Sequence, residues 1–119
     1  MISTESEMRP WGRFFVLHDE STYKLKPLEV DPGGRLSYQY HHKRSEAWII
    51  LEGVGSITLD GAIKDYSKGE TVLIPQGVKN CIENKGLEKV VFIEVQTGSY
   101  FSFFGEDDIV RIEDDYNRA

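Results

Sequence analysis

From Arg13 onward the chain is a succession of short runs rich in Val, Ile, Tyr, Phe and Thr, each closed by a turn signal. Nowhere does an apolar period of 3.6 persist for three turns. Predicted strands cover 14–18, 23–30, 34–41, 46–52, 55–59, 62–66, 71–74, 80–84 and 90–97. Asp60-Gly61, set between two of these runs, is a strong hairpin signal, and Asp31-Pro32-Gly33-Gly34 is a second turn cluster. Spacing this regular predicts an all-β, jelly-roll type of closed or double-sheet architecture. The acidic tail, GEDDIVRIEDDYNR, closes it with either a short helix or an extended arm.

Length and charge narrow the function. A chain of 119 residues holds one domain with a real core. The polar residues 1–8 are expected to fray and residues 9–119 to form the domain. A net charge of -6 with no Lys/Arg stripe argues against nucleic acid or an anionic membrane surface as partner. The single cysteine, Cys81, excludes an internal disulfide, and neither a signal-peptide core nor a spanning apolar run is present. A cytoplasmic setting is the expectation.

Polar chemistry concentrates in two segments, residues 33–53 and 69–84. On an extended strand residues i and i+2 share a face, so Gln39 and His41 project together while Tyr40 points away. Glu46 then opens the next strand with Trp48 and Ile50 on its own face. Pro75-Gln76-Gly77 redirects the chain before Asn80, and Gly77 suits a backbone at positive φ. Gln39, His41, Glu46 and Asn80 make a candidate four-ligand cup for a divalent ion such as Zn, Mn, Fe or Ni. Two of the four donors are amides, which bind Zn or Ni poorly compared with imidazole.

These segments resemble the two cupin motifs. Gly33-x5-Gln39-x-His41-x4-Glu46-x6-Gly53 resembles the first, with glutamine at the usual first histidine. Gly69-x5-Pro75-x-Gly77-x2-Asn80-x3-Asn84 resembles the second, with Asn80 in the histidine position. The similarity is closer still to the C-terminal cupin domain of the type II phosphomannose isomerases, which pair mannose-6-phosphate isomerase with mannose-1-phosphate guanylyltransferase. It rests on Arg9-Pro-Trp-Gly, Tyr23-Lys24-x-Lys26, Pro32-Gly-x-x-Leu36-Ser37-x-Gln39, His41-His42-x-Arg44-x-Glu46-x-Trp48, Ile93-Glu94-Val95-Gln96-x-Gly98-x-Tyr100 and Gly105-Glu-Asp-Asp-Ile-Val-Arg111, with Asp115-Tyr116-x-Arg118. Departures accompany it: Lys43, Ala47 and Asn80 stand where that family has histidine, and the link Phe101 to Phe104 is longer. The nucleotidyltransferase domain is missing from the sequence, so guanylyltransferase activity is not expected.

The resemblance implies a cupin-type double-stranded β-helix and metal-assisted aldose-ketose isomerisation of a sugar phosphate. Such a reaction moves a proton between C1 and C2 through an enediol. The metal, on Gln39, His41, Glu46 and Asn80, would polarise the carbonyl. With so many amides it would be weakly held or absent, and Mn or Mg would be tolerated best. Arg111 and Arg118 match family arginines and suit phosphate or enediolate oxygens. Lys24 and Lys26 lie on a strand facing the same bowl, and Glu94 or Lys24 is the candidate general base. The alternative is a non-catalytic cupin that binds a sugar phosphate or nucleotide sugar in a degraded metal site.

Plainer roles compete for several residues. His42 is expected at the surface, Trp11 and Trp48 in the barrel packing, the acidic runs of the tail in solvent, and Cys81 as a small buried residue or an inward thiol. Exposed strand edges predict a homodimer.

Overall fold

The computed structural model describes residues 6–20, 22–98 and 109–113. Its strands are β1 (Ser6–Arg9), β2 (Gly12–Phe15), β3 (His18–Asp19), β4 (Tyr23–Val30), β5 (Tyr38–His41), β6 (Arg44–Glu52), β7 (Gly55–Leu59), β8 (Ala62–Tyr66), β9 (Thr71–Ile74), β10 (Asn80–Glu83), β11 (Val90–Gly98) and β12 (Ile109–Glu113). The first sheet runs β1-β2-β4-β11-β6-β9, with β3 added on β4, and the second runs β12-β5-β10-β7-β8. Neighbouring strands pair antiparallel, and the two sheets form the expected all-β jelly roll.

Local sequence accounts for the corners. Asp60 (φ 46°) and Gly61 (φ 87°) turn β7 into β8, where Leu59 pairs with Ala62 across a two-residue loop. Asp60 Oδ1 also accepts from the Lys79 amide at 2.8 Å, which ties the hairpin to the approach of β10. Gly77 adopts φ 80°, as its place after Pro75-Gln76 predicts. At Gly12 the need is steric, because a Cβ there would lie 2.0 Å from the Glu29 carbonyl oxygen of β4.

Four boundaries differ from the sequence reading, and one open alternative is resolved. Residues 6–8, expected to fray, pair with β2 through Ser6↔Phe15, Glu7↔Phe14 and Met8↔Arg13, while residues 1–5 lie outside the described residues. The run predicted over 14–18 divides between β2 and β3. In the run predicted over 34–41, only β5 is a regular strand; the preceding segment is held by single contacts such as Leu36 N to Ile82 O at 3.0 Å. The strand expected from Glu46 starts at Arg44. In the tail, 109–113 is an extended strand on the edge of the second sheet, paired with β5.

Alternation sends one face of each sheet inward. Leu28, Val30, Trp48, Ile50, Val72, Ile74, Val90 and Phe92 from the first sheet meet Ile57 and Ile82 from the second. Trp48 and Phe92 pack with ring centroids 5.1 Å apart. Burying each such side chain contributes roughly 1.5–3 kcal/mol. Along β4, β6 and β11 the same inward face turns from apolar to polar: Val30, Ile50 and Val90 at one end give way to Lys26, Glu46, Glu94 and Gln96 at the other. Register lines these up, pairing Glu94 with Lys26 and Gln96 with Glu46. The core therefore ends in a charged, water-poor bowl.

Candidate functional site

Glu46 is the hub of that bowl. It is 4% exposed, and each carboxylate oxygen has a protein partner. Oε1 accepts from Trp48 Nε1 at 2.8 Å; Oε2 lies 2.9 Å from Arg44 Nε and 3.0 Å from His41 Nε2. Arg44, Glu46 and Trp48 alternate along β6, so all three side chains turn inward from one strand. Arg44 also places Nη2 3.1 Å from His41 Nε2. Its guanidinium thus touches the imidazole and the carboxylate together.

Glu94, opposite on β11, is the second buried acid. Burial first, and then the negative charge of Glu46, push its carboxyl up to about 8, with Lys26 and Arg44 pulling the other way. Burial also works against ionising Glu46. The hydrogen bond with His41, the charge of Arg44 and the hydrogen bond with Glu94 prevail, and hold Glu46 well below the ordinary carboxylate range. Near neutral pH the pair carries one proton, on Glu94. Gln96 Nε2, itself fully buried, donates to Glu94 Oε2.

Above the pair lies a cleft lined by Arg9, Lys26, Gln39, Arg44, Glu94 and Arg111 together with apolar neighbours. Lys26 Nζ sits 4.0 Å from the centre of the Phe14 ring, with the Arg9 guanidinium 4.9 Å from the same ring. Ser37 Oγ donates to Gln39 Oε1 at 2.6 Å. Register places Arg111, Gln39 and Asn80 in one row across β12, β5 and β10.

Of the residues selected from sequence, Lys26, Gln39, Glu94 and Arg111 come together in this cleft, and His41 and Glu46 meet beneath it. Asn80 is buried beside Gln39. Lys24 lies outside the cleft lining, with Nζ 3.8 Å from Asp19 Oδ2. Arg118 lies outside the described residues. His42 is exposed, its ring edge-on to Tyr40 at 5.2 Å. Cys81 is buried, with Sγ 3.1 Å from Leu36 O. Sequence reasoning missed Arg44 as a site residue because it placed 42–45 in a connection. The signal was present in the parity of Arg44 with Glu46, Trp48 and Ile50.

As arranged here, the four candidate ligands do not fit a divalent ion. Two observations favour an ion: Asn80 Oδ1 and His41 Nδ1 are both buried with no hydrogen-bond partner, while Asn80 Nδ2 donates to Val78 O. The other three donors are committed. Gln39 Oε1 is taken by Ser37, and both Glu46 oxygens are engaged. His41 Nε2 either accepts from Arg44 or donates to Glu46, and in both cases this nitrogen, the one that faces Glu46, has no lone pair left for a metal. Among the described residues no three His, Cys, Asp or Glu side chains converge.

Comparison with known proteins agrees with this architecture. The family described as Mannose-6-phosphate isomerase C-terminal matches residues 2–114. A mannose-1-phosphate guanylyltransferase of Salmonella montevideo is 44% identical over 117 residues, which cover 98% of this chain and 24% of that protein. The chain thus spans about a quarter of the length of the relatives it matches. Among solved structures, an RmlC-like cupin from Shewanella frigidimarina superposes with a TM-score of 0.72 at 21% identity, covering 81% of this chain and 85% of that one. A sugar phosphate isomerase of the cupin superfamily from Silicibacter pomeroyi gives 0.70 at 17% identity, covering 79% and 69%. On the family match over nearly its whole length, and with a fold to agree, the chain belongs to the mannose-6-phosphate isomerase C-terminal family of cupin domains.

Proposed function

We propose that the cleft binds a phosphorylated sugar and interconverts its aldose and ketose forms, a mannose-6-phosphate isomerase type of reaction. The observation that carries this reading is the convergence of four cationic side chains, Arg9, Lys26, Arg44 and Arg111, around one buried acid, Glu94. Guanidinium groups at the cleft suit a dianionic phosphate, and Arg9, which also pairs with Glu7 at 2.9 Å, and Arg111 are the ones assigned to it. Glu94 is the proton carrier. Because Glu94 rests protonated near neutral pH, the step starts from its minor ionised form, which takes the C2 proton of the open-chain aldose; the electron pair of that bond forms the C1–C2 double bond, and the carbonyl pair moves onto O1. The O2 proton passes to O1, the O2 electron pair forms the C2 carbonyl, the C1–C2 π pair takes the proton from Glu94 at C1, and the ketose leaves with Glu94 ionised again. Lys26 and the Gln39 amide supply positive charge and a hydrogen bond where the enediolate forms. Glu46, held ionised by Arg44 and His41, orients Glu94.

Conversion of mannose 6-phosphate to fructose 6-phosphate, followed by NMR with and without a chelator, tests this directly. Turnover that vanishes in Glu94→Gln supports it, and inactivity on every aldose phosphate offered removes it. One observation favours the second reading, a binding cupin without turnover: Glu94 is clamped between Glu46 and Gln96. That reading predicts a sugar phosphate that raises the melting temperature and is recovered unchanged.

A further inference from the structure

We infer that Arg44 is an internal replacement for the metal ion: its guanidinium is the resident cation of the bowl, and this chain works without a divalent ion at His41 and Glu46. The argument is geometric. The two strongest donors of the motif, His41 Nε2 and Glu46 Oε2, lie 3.0 Å apart, and the same guanidinium reaches both, at 3.1 and 2.9 Å. All three side chains are nearly sealed from water, at 2%, 1% and 5% exposure for His41, Glu46 and Arg44. A guanidinium stays protonated even when buried, so its charge is permanent.

Electrostatics makes the two cations alternatives. The Arg44 guanidinium already lies 2.9 Å from Glu46 Oε2 and 3.1 Å from His41 Nε2, the two donors that a metal would share. A divalent ion seated on the same oxygen would face the arginine charge at close range in a poorly screened site. The substitution pattern fits this account. The second motif offers Asn80 in place of imidazole, so the ligand that would let a metal outcompete arginine is missing. Arg44 also lines the cleft, and so presents a fixed positive charge toward a ligand oxygen, the task a metal would otherwise perform. Only that last role rests on the sugar-phosphate reading; the exclusion of metal stands whether or not the protein turns a substrate over.

Cobalt(II) binding decides it, read by visible absorption and by elemental analysis after gel filtration. Wild type at about 0.1 mM, a concentration at which micromolar sites saturate, is expected to retain no cobalt. Arg44→Met, which keeps most of the side-chain volume and removes the charge, is expected to retain one equivalent, and Arg44→Met/His41→Ala to lose it again. Stoichiometric cobalt in wild type that disappears in His41→Ala would overturn the inference. So would a folded Arg44→Met that takes up none. Should Arg44→Met not fold, manganese(II) added to isotope-labelled wild type gives the same decision. Unbroadened His41 ring resonances are expected, and selective broadening at low manganese overturns the inference. Isomerase activity that persists in chelator would agree with it, whereas an inactive, cobalt-free wild type would defeat the isomerase reading and leave this inference in place.

Discussion

Trp48 Nε1 donates to Glu46 Oε1 at 2.8 Å along the inward face of β6, so one strand supplies both the carboxylate and the donor that orients it. Trp48→Phe keeps most of the packing against Phe92 and removes this bond to a buried charge. It is expected to cost about 1.5–3 kcal/mol. Urea unfolding followed by far-UV circular dichroism measures the loss, and a midpoint unchanged from wild type would mean that Glu46 finds another donor.

If Glu94 carries the proton, Glu94→Gln removes the transferable proton while keeping a similar shape. The rate of aldose-ketose interconversion is expected to fall by about 10²–10⁴-fold, the usual worth of a positioned acid or base. Binding of the sugar phosphate, read by calorimetry, should persist. A variant with full turnover would move the proton-transfer role to another group of the cleft.

Gly12 lets β2 run against β4. Because an added Cβ would lie 2.0 Å from the Glu29 carbonyl oxygen, Gly12→Ala must push the strands apart. A loss of at least about 2 kcal/mol is expected. A melting temperature equal to that of wild type would show that β2 is not held in this register.

Glu29 gives the surface a pH dependence with a definite sign. Arg13 Nε sits 2.8 Å from Glu29 Oε1 and Lys89 Nζ 3.1 Å from the same oxygen. The hydrogen bond from Arg13, opposed by partial burial and joined by that from Lys89, lowers the pKa of Glu29 from its ordinary 4.5. A carboxylate depressed in the folded state adds stability above its unfolded pKa and loses it as pH falls through the folded value. Glu29→Gln should therefore melt slightly below wild type at neutral pH, and the gap should close in acid. A gap independent of pH would assign the loss to packing, since salt also screens such exposed pairs.

Much of this domain is written in the order of its residues. Period-2 runs closed by Asp60-Gly61 and by Asp31 to Gly34 specify short antiparallel strands, since a two-residue Asp-Gly loop leaves the chain little choice but a hairpin. Alternation likewise puts Glu46, Trp48 and Ile50 on one face, and Phe92, Glu94 and Gln96 on another. What the linear order does not contain is which faces meet. Glu94 acquires its raised pKa only because β11 lies beside β6 and brings a second acid to Glu46. Arg111 reaches the cleft only because the tail pairs with β5, a long-range choice between strand and helix that local propensity left open. Arg44, which on sequence belonged to a loop, turned inward because β6 extends back by two residues to pair with the end of β11. The sequence determined the donors; tertiary packing decided which partners they meet, because distances between side chains of different strands, and the burial that magnifies their charges, exist only once the sheets have closed.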